Sequence, residues 1–209
     1  TLIPFDAHLM INEPVKHVRD YIDAGSDIIT VHAEVCDESS FGEISDMLHS
    51  NQVGIGLAIN PDTELPEWCY KFVELLDQII IMSVVPGKSG QKFIESTHEK
   101  TKRIAKDLRE HKFEGYIEAD GGVNLENIGA CFEDGARAFV GGSAIIGQSD
   151  VRMIIKEFRN QVLESRRRLL IKKAHELGGT ELVNSWIDLH VVGKKKDSLV
   201  QIAKELGFQ

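Results

Sequence analysis

The feature that most constrains this chain is a regular alternation of short apolar runs, rich in β-branched residues, with longer charged stretches of helical periodicity. The apolar runs predict strands at 4–10, 27–34, 53–60, 78–85, 115–120 and 138–144. The charged stretches predict helices at 13–25, 41–52, 66–76, 96–112, 125–135 and 151–170. Strands that are apolar along their whole length and separated by helices indicate a parallel sheet covered by those helices.

The repeat length distinguishes between the two common parallel architectures. Each strand–helix unit is about 25 residues long, which favours a TIM (β/α)8 barrel over a doubly wound sheet. Such a barrel needs eight strands, and the sequence offers six before an atypical end. We therefore predict an incomplete barrel over 1–165, followed over 166–209 by a helical extension and one more βα unit.

Composition narrows the class of protein. A net charge of -9 argues against a nucleic-acid partner, and the basic cluster at 165–173 is read as a solvated helix face rather than a phosphate or RNA patch. Three widely spaced cysteines indicate reduced thiols. No apolar run approaches the ~18 residues of a membrane span and no signal peptide is visible. We expect a cytoplasmic protein without a membrane partner.

Polar side chains sit where the predicted strands end, the place where such barrels build their active sites. Asp6 and His8 alternate on the first strand, and Asp120 closes the fifth. Imidazole and carboxylate suit a divalent metal, but a catalytic zinc generally uses three protein ligands. From pattern alone, a strand histidine is more often a satisfied core residue, and we read His32 in that way, beside Glu34.

Glycine-containing loops follow the last three strands. Gly121 and Gly122 come directly after Asp120, and Gly142 with Ser143 repeats the device one strand later. Loops of this kind hold phosphate in many barrels, although they also make plain tight turns. The loop at 86–91, Pro-Gly-Lys-Ser-Gly-Gln, lacks the ending of a nucleotide-binding P-loop. It is read as a mobile cover over a ligand, with a simple surface turn as the alternative.

Five motifs occur in order and at characteristic spacing: DAHLMI, ITVHAE, MSVVPGKSGQKFIE, EADGGVNLENI and VGGSAII. Together they closely resemble the ribulose-phosphate 3-epimerase family, phosphate-binding TIM barrels of the pentose phosphate pathway. The resemblance implies epimerisation at C3 between D-ribulose 5-phosphate and D-xylulose 5-phosphate. It also implies an enediolate stabilised by a divalent metal (zinc, iron, manganese or cobalt) and an Asp acid/base on each face of the substrate.

The resemblance assigns roles to individual residues. His8 is implied as a metal ligand that also contacts substrate, and Asp120 as both metal ligand and catalytic acid/base. Met10 and Met82 are implied to line the pocket, and Asp6 to give structural support. The cover and phosphate-binding residues implied by the resemblance are Gly87, Lys88, Ser89, Gly90, Gly121, Gly122, Gly142 and Ser143.

Two departures leave alternatives open. The family's cover loop usually carries Phe where this chain has Lys88. The family's first two strands, which supply a second metal-ligand His and the other catalytic Asp, do not precede Thr1. Asp188 and His190, on the predicted strand near the carboxyl end, only superficially echo that missing pair.

We therefore expect an enzyme that acts on a small sugar phosphate, with the activity of this chain alone left open. The alternatives are a non-catalytic or truncated sugar-phosphate-binding barrel and an allulose-6-phosphate 3-epimerase. Because six strands leave open sheet edges, we also expect a homo-oligomer, with aggregation or closure of the barrel by the carboxyl-terminal βα unit as the alternatives.

Overall fold

The computed structural model describes residues 3–88 and 90–176. It contains one six-stranded sheet in which neighbours in sequence are neighbours in space, and every pair is parallel. The strands are β1 (Asp6–Leu9), β2 (Ile28–His32), β3 (Gly54–Ile59), β4 (Gln78–Met82), β5 (Tyr116–Asp120) and β6 (Ala138–Val140). All six predicted strands are confirmed, and β6 is shorter than predicted because the chain turns at Gly141 into a short helix.

The described strands form a sheet that curves like part of a barrel. Within the described residues, β1 and β6 each pair with a single neighbour, so the strands form a half-barrel rather than a closed one. This agrees with the predicted incomplete TIM barrel. Because all strands run in the same direction, their carboxyl ends, including His32 and Asp120, lie along one rim.

Helices follow the strands, and within residues 3–162 they pack against the sheet through the hydrophobic core. They are α1 (Val18–Asp23), α2 (Glu38–Ser50), α3 (Thr97–Glu110), α4 (Ile128–Asp134), α5 (Ser143–Ile146) and α6 (Val151–Glu176). α2 begins with a capping box in which the Asp37 carboxylate accepts from the Ser40 N–H and the Ser40 hydroxyl accepts from the Asp37 N–H. None of the helices in the described part of the chain is long and apolar enough to cross a membrane.

Two predicted helices differ in the structure. The stretch 66–76 forms only a 3₁₀ helix, Glu67–Lys71, followed by turns. Its Trp68 and Phe72 rings both pack on Phe41 of α2, with centroids 5.1 Å away in each case. Aromatic and β-branched residues have weak helix propensity, so this tertiary packing outweighs the helical pattern. The predicted helix at 13–25 is interrupted after the 3₁₀ turn Pro14–Lys16, and α1 follows it.

The hydrophobic core lies between the sheet and the helices. Its fully buried members include Ile29, Val31, Phe41, Ile44, Leu48, Leu57 and Ile79. The opposite, inner face of the sheet is partly polar. There Gln78, which is completely buried, donates from Nε2 to Asp6 Oδ2 at 2.7 Å and to Thr30 Oγ1 at 2.6 Å. Asp6 is thus hydrogen-bonded to a buried residue of the inner face, and its predicted supporting role stays a prediction.

The chain divides into two compact units, Thr1–Val162 and Leu163–Gln209. In the second unit the structure describes the remainder of α6, where Arg168 Nη2 donates to Ser165 Oγ at 2.7 Å. The predicted βα unit near the carboxyl end, with Asp188 and His190, lies outside the described residues. The predicted boundary at residue 165 stays a prediction.

Candidate active site

His8 and Asp120 meet at the rim of the half-barrel. His8 Nδ1 lies 3.3 Å from Asp120 Oδ2, and the two side chains are only 15% and 16% exposed. Their strands, β1 and β5, are separated by three others, so in a flat sheet they would stand roughly 19 Å apart at about 4.8 Å per strand. The contact therefore exists because the sheet curls, and the structure brings together the two residues that the sequence singled out.

Behind His8 stands a second histidine that pattern reasoning treated as an ordinary neighbour of Glu34. His32 Nε2 lies 2.8 Å from His8 Nε2, with the two rings inclined by 15°. His32 Nδ1 lies 3.1 Å from Glu34 Oε2, and Glu34 Oε1 accepts the Asn60 N–H at 2.7 Å. The contact with Glu34 is as expected. The contact with His8 was missed, although both histidines lie near the carboxyl ends of adjacent strands.

The charge on Glu34 determines which nitrogen of His32 donates in the hydrogen bonds that link Glu34, His32 and His8. Burial alone raises the pKa of the Glu34 carboxyl, but hydrogen bonds from His32, Thr63 and the Asn60 N–H outweigh it and lower the pKa to about 2. An ionised carboxylate only accepts, so His32 donates to it from Nδ1. With His32 neutral, its Nε2 accepts from His8 Nε2 and the His8 Nδ1 lone pair faces Asp120. With His32 protonated, its Nε2 donates to His8, and His8 Nδ1 donates to Asp120.

In the first arrangement the His8 Nδ1 lone pair and the Asp120 carboxylate, 3.3 Å apart, are both acceptors, which a proton or a metal ion would bridge. Within residues 3–88 and 90–176, however, no group of three or more His, Cys, Asp or Glu side chains is arranged to hold a metal. His8 and Asp120 supply two donors, one fewer than the protein ligands of a typical catalytic zinc. The described residues alone therefore do not fit the metal site that the resemblance implies.

A carboxyl deeper in the half-barrel is also perturbed. Glu118 is two residues before Asp120 on β5, so both side chains project to the inner face. Burial, with the nearby negative charges of Asp6 and Asp120, raises the pKa of Glu118 to about 7. Burial and the neighbouring carboxylates therefore favour the neutral form of Glu118, a residue that sequence reasoning did not single out.

The glycine pair after β5 takes a backbone conformation that other residues rarely adopt. Gly121 has φ 120° and Gly122 has φ 62°. A Cβ on Gly121 would lie 2.5 Å from Val84 Cγ2, and one on Gly122 would lie 2.5 Å from the Phe93 nitrogen. Glycine is required at both positions because the turn is left-handed and the neighbouring chain is close.

Asp120 and the glycine loops line one cavity of about 340 Å³. The predicted site residues in its wall are Met10, Met82, Gly87, Lys88, Gly90, Asp120, Gly121, Gly122, Gly142 and Ser143. His8 reaches this group through its contact with Asp120. Ser89 lies outside the described residues. The remaining predicted residues converge on one place, large enough for a sugar phosphate.

The cover loop is anchored by a glutamine that sequence reasoning did not single out. Gln91 Nε2 donates to the carbonyl oxygens of Val85, at 2.6 Å, and Lys88, at 2.9 Å. Gly87 and Gly90 take positive φ angles of 107° and 73° within the same loop. Lys88 is the basic residue among the described residues that line the cavity, so the loop brings positive charge to the glycine-rich wall.

Comparisons with known proteins agree with these observations. The model of the ribulose-phosphate 3 epimerase family matches residues 1–146. The ribulose-phosphate 3-epimerase of Bacillus subtilis is 39% identical over 160 residues, which cover 76% of this chain and 72% of that protein. The chloroplastic ribulose-5-phosphate-3-epimerase of Arabidopsis thaliana is 39% identical over 156 residues, which cover 75% of this chain and 55% of the relative.

A solved structure supports the architecture. The 3-keto-L-gulonate-6-phosphate decarboxylase of Vibrio cholerae superimposes with a TM-score of 0.55 over 76% of this chain and 72% of that chain. The sequence identity is 15%, so this likeness shows the fold alone.

Proposed function

The chain belongs to the ribulose-phosphate 3-epimerase family, and from this we propose that it takes part in epimerisation at C3 of a pentulose phosphate, D-ribulose 5-phosphate to D-xylulose 5-phosphate. The observation that carries the proposal is the placement of Asp120. Its carboxylate lines the glycine-walled cavity and contacts His8. A carboxylate able to transfer a proton therefore lies beside glycine-rich loops in one cavity.

We assign proton transfer at C3 to Asp120. Its carboxylate would take the proton from one face of the substrate, and the His8 Nδ1 lone pair, 3.3 Å from Oδ2, would accept a hydrogen bond from the protonated acid. The Glu34–His32 contacts hold His8 in the required orientation. A single carboxylate returns a proton to the face from which it took it, so inversion needs a second acid on the opposite face.

Substrate binding falls to the cavity wall. We propose that Gly87, Gly90, Gly121, Gly122 and Gly142 offer backbone contacts to the phosphate, with Ser143 and Ser89 adding hydroxyl groups. Lys88 would supply the balancing positive charge. Met10 and Met82 would cover the apolar side of the carbon chain, with Met82 completely buried and Met10 partly exposed.

The family resemblance implies a divalent metal (zinc, iron, manganese or cobalt) held by His8 and Asp120 together with further ligands. Such an ion would stabilise negative charge on the enediolate oxygens. The two donors found in the described residues fall short of a complete site. The chemistry assigned to Asp120 therefore stands on the chain's own groups.

The same shortfall favours a second candidate function, a sugar-phosphate-binding barrel without turnover. The cavity and glycine loops would bind the ligand, while a single carboxylate could not invert it. An allulose-6-phosphate 3-epimerase would use the same residues on a longer sugar. Among the described residues, β1 and β6 each lack a second neighbouring strand, which supports the proposal of a homo-oligomer. The cytoplasmic location and the place in the pentose phosphate pathway stay predictions.

Incubating the chain with D-ribulose 5-phosphate in D₂O separates these candidates. Deuterium at C3 with conversion to D-xylulose 5-phosphate shows epimerisation, and deuterium without conversion shows that Asp120 works on one face only. Neither product, with ligand binding detected by calorimetry, shows a binding protein. Asp120→Asn should abolish exchange while the chain still binds inorganic phosphate. Unchanged exchange in that variant would refute the role of Asp120.

A further inference from the structure

Two asparagine side chains donate hydrogen bonds to the backbone of the glycine pair. The Gly122 carbonyl oxygen accepts from Asn127 Nδ2 at 3.1 Å and from Asn124 Nδ2 at 3.3 Å. One peptide earlier, the Gly121 carbonyl oxygen accepts from the Ser83 hydroxyl at 2.6 Å. Both carbonyls of this turn are therefore held by side chains.

A held carbonyl also sets the direction of the N–H group in the same peptide. The described chain contains no cis peptide bond, and in a trans peptide the C=O and N–H groups point in opposite directions. The N–H groups of Gly122 and Val123 therefore point away from Ser83 and from the asparagines. Across residues 3–88 and 90–176, neither N–H donates a hydrogen bond.

The surroundings agree with this orientation. Gly122 and Val123 separate two hollows and line both, whereas Asp120 and Gly121 line only the cavity and Asn124 and Asn127 line only the adjoining hollow. The asparagines thus stand behind the glycine turn, and two backbone donors are left for a ligand in front of it. Backbone N–H groups grouped in this way bind anions.

The asparagine amides have one usable orientation. Asn127 Oδ1 accepts the Asn124 N–H at 2.8 Å, and Asn124 Oδ1 accepts the N–H groups of Glu126 at 2.8 Å and Asn127 at 3.2 Å. Rotating either amide would place NH₂ against these N–H groups. Each Nδ2 is therefore committed to the Gly122 carbonyl.

We infer that Asn127, supported by Asn124 and Ser83, is a positioning residue that aims the Gly122 and Val123 N–H groups at the substrate phosphate. Glycine adopts both signs of φ easily, so an unheld peptide after Gly122 could turn and present its carbonyl to the phosphate. The asparagine pair prevents that turn. The inference rests on the proposed function in one respect, that the cavity's ligand is a phosphate.

The test follows inorganic phosphate binding to the ¹⁵N-labelled chain by NMR. In the wild-type protein the Gly122 and Val123 amide signals should move on titration. Asn127→Ala should weaken phosphate binding about tenfold, the equivalent of one lost hydrogen bond, and reduce those shifts. Asn51→Ala is the matched control, because Asn51 Nδ2 donates to the Met47 carbonyl at 2.8 Å at the end of α2, away from the cavity. It should leave phosphate affinity unchanged.

Ser83→Ala provides a second, nearly isosteric variant for the case in which Asn127→Ala does not fold. It removes the hydrogen bond to the Gly121 carbonyl oxygen and should also weaken phosphate binding. The inference is overturned if a folded Asn127→Ala chain binds phosphate as tightly as the wild type. If Asn127→Ala does not fold, wild-type phosphate affinity in Ser83→Ala overturns it in the same way. It is also overturned if the Gly122 and Val123 amide signals of the wild-type protein do not move during the phosphate titration. Binding is read independently of turnover. A chain that binds phosphate through these amides but neither exchanges nor epimerises sugar refutes the enzymatic proposal and leaves this inference standing.

Discussion

The glycine after β5 permits a sharp test, because one chemical change should have opposite effects at different glycines. Gly121→Ala places a methyl group on a residue with φ 120°, 2.5 Å from Val84 Cγ2 and 2.8 Å from the Val84 nitrogen. Left-handed strain costs about 1–3 kcal/mol, and forcing extra atoms into packed structure costs a similar amount. We expect the free energy of unfolding to fall by about 3 kcal/mol.

Two further glycines separate strain from steric overlap. Gly87 has φ 107°, but no atom of the described chain lies within 4 Å of the position of its Cβ, so Gly87→Ala should cost about 1 kcal/mol from strain alone. Gly42 lies within α2, where an added Cβ would make an ordinary contact with the Phe72 ring at 3.6 Å. Because alanine favours the helix, Gly42→Ala should stabilise the protein by about 0.5–1 kcal/mol.

The assay is urea unfolding followed by circular dichroism, with the four proteins compared at the same pH and concentration. The expected order of stability is Gly42→Ala, wild type, Gly87→Ala and then Gly121→Ala. The reasoning is refuted if Gly121→Ala matches the wild type, or if Gly42→Ala is the least stable of the four. Phosphate affinity measured on the same proteins should fall for Gly121→Ala and stay constant for Gly42→Ala.

Three further predictions concern ionisable groups. The Glu34 pKa is lowered to about 2, so the stabilising contribution of its carboxylate is present above the usual value of 4.5 and is lost as the pH falls towards 2. The free energy of unfolding, measured from pH 5 to pH 2, should therefore fall less steeply in Glu34→Gln than in the wild type. The Glu118 pKa is raised to about 7, so the contribution of its neutral form to stability is present below pH 4.5 and is lost as the pH rises to 7. Glu118→Gln should therefore raise the melting temperature more at pH 8 than at pH 5. An equal rise at both pH values would contradict this. Burial raises the pKa values of Cys69 and Cys131 to about 12. Both thiols should therefore react with a disulfide reagent only after denaturation. Rapid labelling of either thiol in the native protein would contradict this.

Much of the fold follows from local patterns. The central strands β3 and β4 were predictable because a fully buried strand is apolar along almost its whole length, as 79–82 shows. α3 was predictable because Ile104 and Leu108 place apolar side chains on one face. The stretch 66–76 carries a similar pattern, and there the prediction of an α-helix is wrong. The packing of Trp68 and Phe72 on Phe41 decided its conformation, and that contact is not recorded locally.

The candidate site, like the fold, was predictable in part from the sequence and in part only from the tertiary structure. The sequence by itself determined which chemical groups stand at the strand ends, since Asp120, the glycines after it and His8 are placed by strand and turn patterns. Only the tertiary structure decided which of them touch: the curl of the sheet joins His8 to Asp120, and strand pairing brings His32 behind His8. Side-chain periodicity reflects burial along one element, whereas these contacts depend on curvature and register summed over several strands.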